Sequence, residues 1–203
     1  FSRSNMTKII GLTGGIGSGK TTIANYVHSF GIPLYIADDE ARKLMQSQKI
    51  INAIKTVFGD GIFEKETLNR TKLAEIVFNQ PDKLEKLNAI IHPAVKSDFK
   101  EWLLQNKNAP FIIYEAAILF ESGNYVNCDY VITVVAPIDT RIERVMKRDN
   151  STRELILKRM EAQWTDEQRI SKSDFVIENV DLKKAKQKVQ EILKILKIKQ
   201  KPL

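Results

Sequence analysis

The chain has 203 residues, 43% of them hydrophobic, one cysteine and a formal net charge of +7. That length suits one large domain or a domain carrying an insertion, and the lone Cys128 excludes an internal disulfide and fits a reducing, cytoplasmic setting. The longest apolar runs, such as Phe111 to Tyr114, fall far short of the roughly 20 residues of a membrane span, so no membrane association is expected.

Phe1 to Asn5 precede Met6 and read as foreign to the native start. Short apolar runs then alternate with helical patterns, the sequence sign of βα units around a mostly parallel sheet. The fold class expected is α/β, with strands at Lys8 to Leu12, Pro33 to Ile36, Phe111 to Tyr114, Tyr130 to Val135 and Phe175 to Ile177.

The first strand runs into Gly14-Gly15-Ile16-Gly17-Ser18-Gly19-Lys20-Thr21, a full match to G-x-x-x-x-G-K-[ST] standing between a strand and a helix. Glycines let the backbone curl so that successive N–H groups point at one anion, and the following helix adds its positive end. Lys20 reaches β- and γ-oxygens as a compact cation, and the Thr21 hydroxyl is placed to ligate Mg²⁺. Thr22 either contacts an α-phosphate or simply starts the helix. The chain lacks a guanine-reading N-K-x-D motif, Asn106-Lys107-Asn108-Ala109 being the nearest approach, and this speaks against a GTPase.

Asp38 and Asp39 follow the second strand at its carboxyl end, where open α/β sheets bind ligands. A carboxylate there can take a proton from an acceptor hydroxyl, or an aspartate can cap the next helix. About seventy residues then separate the second and third strands, far more than a crossover needs. Leu73, Ile76 and Val77, then Leu84, Leu87 and Ile91, give this insertion helical periodicity. Pro81 separates two of its helices, and Pro93 is expected to open another. His92, just before it, either meets an acceptor phosphate or packs at a helix start. Glu115 closes the third strand, where it holds Mg²⁺ through water, orients the acceptor, or serves as a buried structural carboxylate.

Arg141, Arg144, Arg148, Arg153 and Arg159 crowd the segment from Arg141 to Gln168, with Arg144 and Arg148 on one helix face. They suit a lid closing over a triphosphate, or surface pairing with Glu143, Asp149 and Glu154. The chain ends in a helix whose apolar face is Ala185, Val189, Ile192, Leu193 and Leu196. Eight lysines between Lys183 and Lys201 carry much of the positive charge. A solvated helix face accounts for them, no aromatic residues interleave with them, and no nucleic-acid partner is expected.

Gly11 to Thr21, Ala37-Asp38 with Ala41-Arg42, Asn69-Arg70 with Leu73, Val77-Phe78, His92-Pro93, Ile118 to Glu121, Arg144 with Arg148-Asp149, and Ala162-Gln163 together resemble the dephospho-coenzyme A kinase family, from Met6 to the end. The resemblance implies ATP-dependent phosphorylation of the ribose 3′-hydroxyl of dephospho-coenzyme A; the alternative is another P-loop nucleoside or nucleotide kinase. It implies a nucleotide-binding core (6–38, 108–140 and 170–203), a helical acceptor-binding domain (39–107) and a lid (141–169). Asp38 falls on the family's catalytic aspartate, Arg42, Arg70 and His92 on acceptor-binding positions, Arg144 and Arg148 on lid positions, and Asn179 where a loop packs against adenine. ATP and Mg²⁺ are the cofactors implied, and a monomer or weak homo-oligomer is expected. The family commonly has Asp-Ala-Asp after the second strand; here Ile36 holds the first of those positions and Asp39 is added after Asp38.

Overall fold

The computed structural model describes residues 7–199; the expectation for Phe1 to Asn5 and the last tail lysine lie outside them. In chain order they form β1 (Lys8–Gly14), α1 (Lys20–His28), β2 (Leu34–Ile36), α2 (Ala37–Leu44), α3 (Gln48–Phe58), β3 (Phe63–Glu64), β4 (Thr67–Leu68), α4 (Arg70–Phe78), α5 (Pro81–Gln105), β5 (Phe111–Glu115), β6 (Tyr130–Val135), α6 (Ile138–Asp149), α7 (Arg153–Glu161), α8 (Asp166–Ser171), β7 (Phe175–Glu178) and α9 (Leu182–Lys199). The chain divides into two compact units, Ala37–Gln105 and the chain on either side of it.

In the flanking unit, five parallel strands lie in the order β2-β5-β1-β6-β7. Parallel strands covered on both faces need continuous apolar runs, and Phe111 to Glu115 is buried at every position. Ile10, Leu12, Ile113 and Val134 lose all exposure against Ile23 and Val27 of α1 and Val189 and Ile192 of α9. Each such side chain contributes about 1.5–3 kcal/mol through burial. Because all five strands run one way, Gly14, Ile36, Glu115, Val135 and Glu178 end at one edge, where ligands of such sheets bind. Among the described residues no helix is long and apolar enough to cross a membrane. Cys128 lies part-buried after the loop that follows β5, and burial pushes its thiol up to about 12.

The second unit has its own core of Ile50, Ile54, Ile62, Leu73, Leu87 and Ile91. It departs from the sequence reading twice. β3 and β4 form an antiparallel hairpin whose turn residues Lys65 and Glu66 have φ of 49° and 67°. Such two-residue turns normally carry Asn or Gly, and Lys-Glu gave no such signal. Pro93 does not open a helix but lies inside α5, a single helix of 25 residues. It forfeits one backbone hydrogen bond, while Leu87 and Ile91 on the preceding turns, 9% and 8% exposed, hold the helix on the unit's core.

Candidate active site

The phosphate loop leaves β1 at Gly14 and enters α1 at Lys20. Gly17 and Gly19 take φ of 79° and 84°, where a side chain is strained. Space also forbids one: a Cβ on Gly17 would strike the Arg141 carbonyl, and one on Gly19 the Asn179 amide. Gly19 is the N-cap of α1, makes no side-chain capping bond, and no acidic residue occupies the first turn. The helix therefore offers unsatisfied N–H groups and a positive end to an outside anion.

Gly17, Gly19, Lys20, Thr21 and Thr22 line a cleft of about 270 Å³ together with Arg144 and Arg148. Gly14, Gly15, Ile16 and Ser18 are buried and form the loop's support. Thr22 thus faces the cleft as well as starting α1.

Arg144 is fixed to the loop by its own hydrogen bonds. It donates to the carbonyls of Gly17 (3.4 Å), Ser18 (3.3 Å) and Asn179 (2.6 Å). Asn179, 5% exposed, donates its side-chain amide to Ser18 O at 2.9 Å and its backbone N–H to Val135 O at 2.8 Å. Where adenine contact was expected of it, the residue also pins the loop to the end of β6. Arg148 is more open and donates to both Asp149 carboxylate oxygens, at 2.6 and 3.0 Å. That pair, with Arg159 added, holds the Asp149 carboxyl down to about 2.

The Thr21 hydroxyl donates to Glu115 Oε2 at 3.2 Å, and Glu115 is 1% exposed at the end of β5. Of the sequence alternatives, burial and pairing are therefore observed for Glu115. Among the described residues no group of three or more His, Cys, Asp and Glu side chains forms a metal cage. Mg²⁺ needs none, since it keeps waters and takes substrate phosphate oxygens alongside one or two protein oxygens. The adjoining Thr21 and Glu115 oxygens, hard ligands beside the loop, fit it.

The arginine-rich segment divides sharply. Arg141 is 6% exposed and buried beneath the loop, bonded to Ile16 O and paired with Asp166, so it belongs to the frame rather than to a closing surface. Arg153 pairs with Asp139 at 2.9 Å and Arg159 with Asp149 at 3.3 Å, both well exposed. Sequence reading marked Ala162-Gln163 only as part of the resemblance and gave Gln163 no role, yet its Oε1 accepts from Ile16 N–H at 3.0 Å; it missed altogether the fully buried Arg169, paired with Asp166 at 3.3 Å and Glu121 at 3.8 Å. Burial works against the charge on Arg169 and lowers its proton affinity. One signal was available: Thr165-x-x-Gln168 is a capping box, and both of its bonds form at the start of α8.

In the second unit, α2 starts at Ala37, so Asp38 and Asp39 occupy its first turn and neither is an N-cap. Asp39 pairs with Arg42 at 3.0 Å. Asp38 is half-buried and, among the described residues, its carboxylate has no hydrogen bond or ion pair. Arg70 is the exposed first residue of α4, and His92 is exposed in the middle of α5 rather than packed at a helix start.

Amides, an ammonium and two guanidiniums converging on one cleft suit the charged tail of a nucleoside triphosphate, and the sheet that carries them is that of the P-loop kinases. A shikimate kinase from Acinetobacter baumannii shares this fold, with a TM-score of 0.54 at 14% identity over 98% of this chain and 97% of that one. A family model for dephospho-CoA kinase matches residues 8–184. Dephospho-CoA kinases of Fusobacterium nucleatum and Listeria monocytogenes are 42% and 36% identical, over 84% and 93% of this chain and 89% and 97% of theirs. The solved dephospho-CoA kinase of Campylobacter jejuni aligns with a TM-score of 0.68 at 26% identity, covering 94% of this chain and 98% of that one, and a Thermus thermophilus protein with 0.85 at 31%, covering 97% and 100%. The chain belongs to the dephospho-CoA kinase family.

Proposed function

We propose that the protein transfers the γ-phosphoryl group of ATP to the ribose 3′-hydroxyl of dephospho-CoA, giving CoA and ADP. One observation carries this reading: the family match spans residues 8–184, and the cleft inside that span is lined by Lys20, Arg144, Arg148 and two threonine hydroxyls, with no acidic side chain.

The acceptor oxygen forms a bond to γ-phosphorus as the bond to the β,γ-bridging oxygen breaks and ADP leaves. Asp38 takes the 3′-hydroxyl proton; it is the carboxylate of its pair not engaged by Arg42, and it follows β2 by two residues. Lys20, Arg144 and Arg148 stabilise charge spread over the transferring group. Bound Mg²⁺, held by Thr21 and Glu115, would neutralise the β- and γ-oxygens. The loop after β7, from Asn179 on, packs against adenine. Arg42, Arg70 and His92 bind the acceptor's phosphates, Arg70 with the N-terminus of α4 behind it. The protein acts in the cytoplasm as a monomer or weak homo-oligomer, without nucleic acid.

A coupled assay of ADP formation tests the reading. Turnover is expected with dephospho-CoA and none with nucleoside monophosphates; the reverse pattern makes the protein another nucleotide kinase.

A further inference from the structure

Two side chains grip a single residue at the tip of the phosphate loop. Gln163 Oε1 accepts from Ile16 N–H and Arg141 Nε donates to Ile16 C=O, both at 3.0 Å. The Ile16 side chain, 7% exposed, is anchored among Ile142, Val145 and Ile156. The next residue, Gly17, has no Cβ to restrict its backbone. The direction of the amides beyond it is then set by the hold on Ile16 on one side and by the bonds of Arg144 and Asn179 to the Gly17 and Ser18 carbonyls on the other.

Gln163 reaches Ile16 from a stiff stem. Trp164 stacks on Phe120 with ring centroids 5.3 Å apart and planes within 3°. The capping box of Thr165 and Gln168 then fixes the chain into α8. Gln163 is also uncharged. An amide oxygen holds the Ile16 N–H without setting a negative charge beside a site for phosphates, which a carboxylate at the same reach would do.

We infer that Gln163 is a positioning residue for phosphoryl transfer: it touches neither substrate, and by occupying the Ile16 amide it sets the loop in its anion-binding shape before nucleotide arrives. This rests on the loop being the triphosphate site, and the test separates the two claims.

Gln163→Met keeps the length of the side chain and removes the strong acceptor. Its Kd and KM for ATP are expected to rise about fivefold, the worth of one part-buried hydrogen bond, with KM for the acceptor unchanged. Hydrogen exchange of the Ile16 amide, followed by NMR, should accelerate in this variant. In Gln163→Glu that exchange should return to the wild-type rate, while the added charge keeps ATP binding weaker than wild type. Unchanged ATP affinity and Ile16 exchange in Gln163→Met overturn the inference, as does an equal rise in KM for both substrates. Lys20→Ala serves as the reference: if it binds ATP like wild type, the reading of the loop itself has failed. Should Gln163→Met not fold, exchange in nucleotide-free wild type decides, slow exchange at Ile16 supporting the role and fast exchange overturning it.

Discussion

Around the phosphate loop most polar side chains already have a partner, the buried Ser18 hydroxyl being an exception, whereas the side chains of several residues proposed for the acceptor stand alone. Arg144 is tied to three carbonyls, Asn179 and Gln163 to the loop backbone, and Arg141 to both the loop and Asp166. In the second unit the side chains of Asp38, Arg70 and His92 make no hydrogen bond or ion pair among the described residues. A frame whose dipoles are fixed in advance loses no reorganisation energy when charge develops, which is where electrostatic catalysis is most effective. Side chains without internal partners leave their charge for a ligand to satisfy, which suits the acceptor role proposed for them.

That contrast breaks first at Asp38. Asp38→Asn keeps the shape and removes the proton acceptor, so kcat is expected to fall by about 10²–10⁴ with ATP affinity and melting temperature held. Equal turnover in the variant, measured by ADP release, excludes Asp38 as the base.

The opposite signature is expected of Arg141→Ala. It removes a bond to Ile16 O and strips a partner from Asp166 in a nearly solvent-free setting. Because Arg169 still holds Asp166, the cost should sit near the lower end for broken buried pairs, about 3 kcal/mol. Thermal denaturation should report a Tm lower by about 6–12 °C for a chain of this size. A shift of under 2 °C would place Arg141 outside the structural frame.

The smallest effect is at the rim. The Asp149 carboxyl is held at about 2, below its ordinary 3.8, first by the hydrogen bond from Arg148. A depressed carboxyl stabilises the fold above its unfolded value and gives that up as pH falls through the folded one. Wild type should therefore lose more stability than Asp149→Asn between pH about 4 and pH about 2. The difference is modest, since the pair is solvent-screened. Parallel melting curves for the two proteins over that range would remove this role.

What could be read in advance divides along the same line. The five sheet strands were legible to within a residue or two because each is a short apolar run at a fixed place in a βα alternation. The glycine loop was legible because its constraints are local. Lys65-Glu66 was not, since neither residue favours the left-handed backbone it adopts, and Pro93 misled because tertiary packing carries α5 through it. The frame beneath the loop was hidden for a different reason: Gln163 lies 147 residues from Ile16 and Arg141 lies 125 from it. No periodicity encodes a contact at that separation. Asp38 was singled out only through the family resemblance; the Arg42–Asp39 pair adds that its neighbour is engaged, a contact no spacing predicted.

Cys128 has a consequence for an enzyme proposed to handle a thiol-bearing substrate. With its proton retained up to about pH 12, it carries almost no thiolate at neutral pH and is a poor nucleophile toward disulfides. Oxidised coenzyme A is therefore expected to exchange only slowly with this sulfur, which the rate of mixed-disulfide formation checks.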